Sequence, residues 1–312
     1  MKIKKIATIL TVFNRKQKTL ACLNHLFEAA EAYNEKRDKT EYVDITVYMT
    51  DDGCTDGTAA AVRASFPERN INILQGNGEL YWAGGMRFAW QAAIDSGTAW
   101  DYYLLLNDDT YIYKNVFDEL FEADAYGFQQ TGVHGLSSGI TCQPGNPEEI
   151  TYGGMNFASK TKGKQVLVTP TPSRQPQRID LTHANILLVH ASVIEIIGIF
   201  NQGFIHGCAD FDYSMTGARH GIYSYLTSDV CGECEYDHQS QQEEAIKLSN
   251  MSLKERKKFV NTPNHCDHDY LLFVRRNLPL RYPMSCLIRF IRVYFPRCYY
   301  GITNFRGIYQ TK

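Results

Sequence analysis

Apolar residues in the first hundred positions come in short blocks, separated by stretches in which they recur every three or four residues. The block Ile6 to Thr11 predicts a buried strand, and Arg15 to Asn34 a helix. Ile45 to Thr50 predicts a second strand, Thr55 to Phe66 a helix, and Ile71 to Gln75 a short strand. Gly84 to Ser96 predicts a helix and Tyr102 to Leu106 a further strand. This alternation predicts an α/β fold with a mainly parallel sheet covered by helices on both faces. Polar clusters follow the first, second and fourth strands, and ligands of such sheets bind beyond the carboxyl ends of the strands.

The rhythm breaks between Gly127 and Arg178. This stretch is rich in Gly, Thr, Pro and Gln, and predicts loops with a small antiparallel piece that includes Gln165 to Thr169. Order returns at Ala184 to Val189, with a helix near Ser192 to Ile197 and another at Tyr213 to His220, closed by Gly221. From Tyr270 to the end there is no acidic residue, while arginines alternate with aromatic and aliphatic residues. Such a segment can lie in a membrane interface, or it can form helices that pack on the preceding domain.

The 312 residues suffice for one large domain or two modest ones, and the net charge of -2 gives no reason to expect nucleic acid as a partner. Nine cysteines lack framework spacing and read as reduced thiols of a cytosolic protein. The apolar run Ile6 to Val12 is too short for a secretion signal, and no stretch reaches the roughly 18 apolar residues of a membrane span. A cytoplasmic location follows, with peripheral contact at the inner face of the membrane through residues 275–312 as an option.

Asn107-Asp108-Asp109 directly follows an apolar strand, where carboxylates face the crevice above the sheet. Hard cations such as Mg²⁺ or Mn²⁺ often bridge one or two carboxylates to a diphosphate there. The alternative is a polar strand end. Asp51-Asp52 lies at a second strand end, followed by Thr55 or Asp56 as a helix cap. One of the two carboxylates could accept the imide N–H of a uracil or thymine ring. The loop Gly76 to Arg87 carries Gly84 and Gly85 into a helix, where backbone can approach a phosphate and Arg87 adds positive charge. Asp210 is a candidate general base, and Asp212 a helix cap. Cys231 and Cys234, with His238 and the cluster His265, Cys266, Asp267 and His268, have a spacing compatible with zinc. His238 is also a candidate ligand of a catalytic cation.

Together these segments resemble family 2 glycosyltransferases of the GT-A fold, in particular rhamnosyltransferase-like members. The matching pieces are Thr11-Val12-Phe13-Asn14-Arg15, Asp51 to Thr58, Trp82 to Arg87, Asn107-Asp108-Asp109 and Ala209 to Asp212. The resemblance covers about residues 5 to 240. It implies a catalytic domain over 1–240, with a nucleotide-binding half to about 110 and an acceptor half after it, and a helical, basic tail over 241–312. It further implies an inverting hexosyltransferase of surface polysaccharide synthesis, with a nucleotide-diphosphate sugar as donor and a saccharide or lipid-linked saccharide as acceptor.

The roles implied are specific. Thr11, Phe13 and Arg15 line the nucleotide pocket, Asp51 or Asp52 reads the base, Asp109 binds the divalent metal, and Asp210 deprotonates the acceptor. Ala209 stands where the family usually has Glu, which keeps open a catalytically impaired nucleotide-sugar-binding protein. A sugar nucleotidyltransferase is the other alternative, although no glycine-rich loop follows the first strand.

Overall fold

The structure, a computed structural model, describes residues 3–160, 162–169, 175–236, 241–263 and 267–301. Its first half is built from strand β1 (Lys4–Val12), helix α1 (Lys16–Glu35), strand β2 (Val43–Asp51) and helix α2 (Thr58–Ser65). Strand β3 (Ile71–Gln75), helix α3 (Tyr81–Asp95) and strand β4 (Tyr102–Leu106) follow. β1 pairs in parallel with β2 and β4, and β2 with β3, so the strand order is β3-β2-β1-β4.

Both faces of these strands are buried, which is why they read as continuous apolar runs. Ile6, Leu10, Leu104 and Leu106 face α1 through Cys22, Leu23 and Leu26. Ala7, Ile9, Tyr103 and Leu105 face α3 through Met86, Ala89 and Trp90. The alternation along each strand delivers one residue to each face in turn.

The second half continues with β5 (Tyr111–Ile112), α4 (Val116–Thr131), β6 (Leu136–Gln143) and β7 (Asn146–Tyr152). Then come β8 (Gly154–Ser159), β9 (Lys164–Leu167), β10 (Gln177–Ile179), β11 (Leu181–Thr182), β12 (Ile186–His190), α5 (Ala191–Ile197), α6 (Ala209–Arg219) and β13 (Ser224–Glu233). β12 lies antiparallel between β4 and β6, and β13 runs parallel to β6. The resulting sheet has ten strands. β1 to β4, β6 and β13 run one way, and β5, β7, β10 and β12 the other, so the sheet is mixed, parallel across β3-β2-β1-β4 and between β6 and β13.

The middle of the chain is more ordered than its composition predicts. β8, β9 and β11 form the expected small antiparallel sheet. β6 and β7, read as loop from sequence, instead belong to the main sheet. The reason is buried hydroxyls: Ser137, Ser138 and Thr141 of β6 are all buried. Thr141 Oγ1 lies 2.9 Å from Thr151 Oγ1 and also accepts the amide of Tyr152, at 3.2 Å. A strand whose buried side chains are polar but paired carries no apolar signature.

Helices α7 (Gln241–Ser249), α8 (Leu253–Phe259), α9 (Asp267–Asn277) and α10 (Tyr282–Tyr294) follow. Phe273 and Val274 of α9 join the core that α3 and α6 share. α7, α8 and α10 instead close over a small separate core around Ala245, Leu248, Val260 and Val293. α9 thus packs on the domain, one of the two sequence readings of the tail, whereas the inward faces of α7, α8 and α10 meet one another. No helix among the described residues is long and apolar enough to cross a membrane.

Candidate active site

The carboxyl ends of β1, β2 and β4 meet at one edge of the sheet, with Val12 opposite Asp51 in register. The two carboxylates after β2 have different surroundings. Asp51 is buried and accepts the amide of Cys54 through Oδ1 at 2.7 Å. Asp52 accepts three amides: Gly78 N on Oδ1 at 2.9 Å, and Leu80 N and Tyr81 N on Oδ2 at 3.0 Å each. The donors are the last loop residues and the first residue of α3, so Asp52 satisfies amides that a helix start otherwise leaves without partners. Gly76 permits this, since a Cβ there would sit 2.6 Å from Asp52 Oδ1.

α3 begins at Tyr81, three residues before the predicted start. Gly84 and Gly85 therefore lie inside the helix, and both are buried. A Cβ at Gly85 would stand 2.1 Å from Thr11 Oγ1. Thr50 Oγ1 also donates to the Gly85 carbonyl at 2.8 Å. Gly85 thus lets α3 press against the ends of β1 and β2. Arg87 donates from Nη1 to the carbonyls of Asn201 and Phe204, at 3.0 and 2.7 Å, so its guanidinium holds the chain leading to α6. Phe13 is 56% exposed at the mouth of the crevice.

The acidic end of β4 is organised by Arg15. Its Nη1 lies 2.6 Å from Asp109 Oδ2 and 3.4 Å from Asp108 Oδ1. Asp108 is buried and also accepts from Thr19 Oγ1 at 3.3 Å. Burial pushes its carboxyl up to about 6, against the pull of Arg15. The Asn107 side chain accepts from Trp82 Nε1 at 2.8 Å. Asp109 is the more open carboxylate of the pair, its side chain 20% exposed.

Asp210 sits in the first turn of α6, which starts four residues before the predicted Tyr213. It accepts the amide of Phe211 on Oδ1 at 2.9 Å and that of Ala184 on Oδ2 at 3.2 Å. Burial raises its carboxyl to about 6, and these amides hold it back from going further. A carboxylate poised there takes up a proton near neutrality. Asp212, expected as a cap, is buried and pairs instead with Arg276 Nε at 2.8 Å and Asn277 Nδ2 at 2.7 Å. It docks α9 on α6.

Two adjacent residues join the two halves of the site. Ala184 gives its amide to Asp210, while the Asn185 carbonyl accepts the amide of Asn107 at 3.2 Å. The Asn185 side chain donates to Cys234 Sγ at 3.3 Å, and that sulfur lies 4.0 Å from Asp109 Oδ1. Asp109 and Asp210, 101 residues apart in sequence, are therefore held on one short chain of contacts. Sequence reasoning missed Ala184, Asn185 and Asp269. Asp269 on α9 is buried and accepts the amides of Ile205, His206 and Gly207, the last two at 2.7 and 2.9 Å. None of these three carries a local signal, because each acts through backbone groups far away in sequence.

The zinc reading finds no support in the cysteines. Cys231 is buried in β13 against Thr227, its thiol pushed up to about 12 by burial, and Cys234 faces Asp109. His238, His265 and Cys266 lie outside the described residues. Among the described residues no cluster of three or more His, Cys, Asp or Glu could hold a metal ion by itself. The donor chemistry at Asp109 nevertheless fits a hard cation held jointly with a ligand. There one carboxylate would supply an oxygen, and a diphosphate and water would supply the rest.

No model of a known protein family matches the chain, and no curated protein matches it in sequence. Solved structures do. The mannosyltransferase PcManGT from Pyrobaculum calidifontis, solved in complex with GDP-Man and Mn²⁺, is 13% identical with a TM-score of 0.52. The match covers 97% of this chain and 85% of that one. TarS from S. aureus is 14% identical with a TM-score of 0.47, over 94% of this chain and 82% of that one. Its complex with UDP-GlcNAc also scores 0.47, at 14% identity over 93% and 79%. The fold is the GT-A-like fold of glycosyltransferases.

Proposed function

We propose that this chain is an inverting glycosyltransferase that moves a hexose from a nucleotide-diphosphate sugar to a hydroxyl of a saccharide, free or lipid-linked, in surface polysaccharide synthesis. The observation that carries this reading is the Ala184-Asn185 link, which holds Asp210 beside the acidic end of β4. In a parallel sheet this edge is where nucleotides bind. Thr11, Phe13 and Arg15 line the nucleotide side, and Asp51, with one oxygen engaged by a backbone amide, is the better placed of the two carboxylates to read a base. Asp52 works on the loop.

Asp210 takes the proton of the acceptor hydroxyl. The oxygen then forms its bond to the anomeric carbon from the face opposite the leaving group. The bond from that carbon to the diphosphate oxygen breaks, and its electron pair leaves with the nucleoside diphosphate. Asp109 would hold Mg²⁺ or Mn²⁺ together with the diphosphate, and such a cation when bound offsets charge growing on the leaving group. Arg15, now on Asp109, supplies a second positive charge to the same region. Arg87, Gly84 and Gly85 act one step back, setting the position of α3 and of the chain before α6.

Support for the alternative of an impaired binding protein rests on Ala209, which is buried in the first turn of α6 and offers no carboxylate. The two readings part on one experiment. Nucleoside diphosphate release is followed from GDP-, UDP- and dTDP-sugars with Mn²⁺ and a panel of saccharide acceptors. Acceptor-dependent release that Asp210→Asn abolishes, with donor binding retained, supports transfer. Donor binding without release from any acceptor favours the binding protein.

A further inference from the structure

α10 turns one face inward and leaves the other bare. Met284, Leu287 and Phe290, with Phe295 just beyond the helix, are each at least half exposed, and Leu280 is 84% exposed in the turn before it. Spacing of three or four residues places Met284, Leu287, Phe290 and Tyr294 on one stripe. The aromatic rings are gathered: Phe290 stacks on Tyr294 with centroids 4.6 Å apart and lies 6.0 Å from Phe295. Soluble proteins rarely expose so continuous an apolar strip without something to cover it.

The strip is bordered by positive charge. α8 lies alongside, and Lys257 Nζ stands 5.2 Å from the centre of the Tyr294 ring. Lys254, Lys257 and Lys258 of α8 are exposed, as is Arg297 after α10. Acidic groups nearby are turned to other work. Glu255 accepts the Ser252 amide in a capping box at the start of α8. Asp267 and Glu244 pair with Arg292, and Asp267 also with Arg289. Asp269 holds the chain before α6.

The geometry points to a peripheral docking surface for an anionic lipid bilayer, formed by the apolar stripe of α10 with the lysines of α8 around it. Apolar and aromatic side chains enter the boundary between headgroups and acyl chains, while lysines meet the negative headgroups. A second copy of this chain is the poorer occupant, since two-fold pairing of this face would set lysines against lysines.

Flotation of the full chain with vesicles tests this. Phosphatidylcholine vesicles are compared with vesicles that also contain phosphatidylglycerol, at low and high salt. The chain is expected to float with the anionic vesicles only, and less at high salt. Lys254→Ala with Lys258→Ala should lower partitioning by about ten-fold or more. Leu287→Asp with Phe290→Asp should abolish it, with an unchanged circular dichroism spectrum because both positions are exposed. If that pair does not fold, the lysine pair and the salt dependence decide. Equal binding to neutral vesicles, no binding to either kind, or a dimer in sedimentation that the same variants dissolve would overturn the proposal.

Discussion

Asp52 and Asp210 are both carboxylates at the edge of one sheet, yet their surroundings differ. Asp52 accepts three amides, and both its oxygens are committed to the chain that opens α3. Asp210 accepts two amides, one of them its own neighbour's, and is left with a carboxyl raised to about 6. A carboxylate whose oxygens are taken up by several backbone amides builds structure. One that burial drives toward the neutral form is ready to exchange a proton. Asp269 belongs with the first kind.

The largest effect that separates the two kinds is on turnover. Asp210→Asn should lower kcat by about 10²- to 10⁴-fold, the range for loss of a general base, with donor affinity unchanged. The same variant should unfold no more easily than the parent at pH 7.5. Retained turnover would place Asp210 among the structural carboxylates.

Asp52→Ala should behave the other way round. Leaving three amides without their acceptor predicts a stability loss of about 2–4 kcal/mol in urea unfolding, with any activity loss following the fraction unfolded. A variant as stable as the parent would erase the distinction from the other side.

Smaller effects appear with pH. As the base, Asp210 must be ionised, so kcat/KM should rise about ten-fold per unit below pH 6 and level off above it. Asp210→Asn should flatten that limb. Stability moves oppositely. The folded carboxyl titrates near 6 against an ordinary value of 3.8, so the folded state binds more protons between these values. The contribution of Asp210 to stability is therefore lost as pH rises through that window, by about 3 kcal/mol, and Asp210→Asn should remove the slope.

Much of the first half was legible because its strands are buried on both faces. Ile71 to Gln75 and Tyr102 to Leu106 match β3 and β4 residue for residue. α3 was misread at its start because Gly84 and Gly85 suggest a turn, whereas the cap is Asp52, some 28 residues upstream. β6 and β13 were illegible for a related reason. Ser137, Ser138, Thr141, Thr227 and Ser228 are buried polar residues, four of them with hydroxyl hydrogen bonds to partners ten or more residues away. The acidic cluster at Asn107-Asp108-Asp109 could be read from its place after an apolar strand. Its division of labour could not: Trp82 occupies Asn107, Thr19 engages Asp108, and only Asp109 keeps a more open side chain.

Calorimetric titration of nucleotide-diphosphate sugars, with and without Mn²⁺, tests the central claim most directly. One donor should bind the parent chain, with an affinity that Mn²⁺ raises and chelator lowers. In Asp109→Ala the Mn²⁺ enhancement should vanish while the fold is kept. Absence of binding by every donor in the presence of Mn²⁺ would contradict the account.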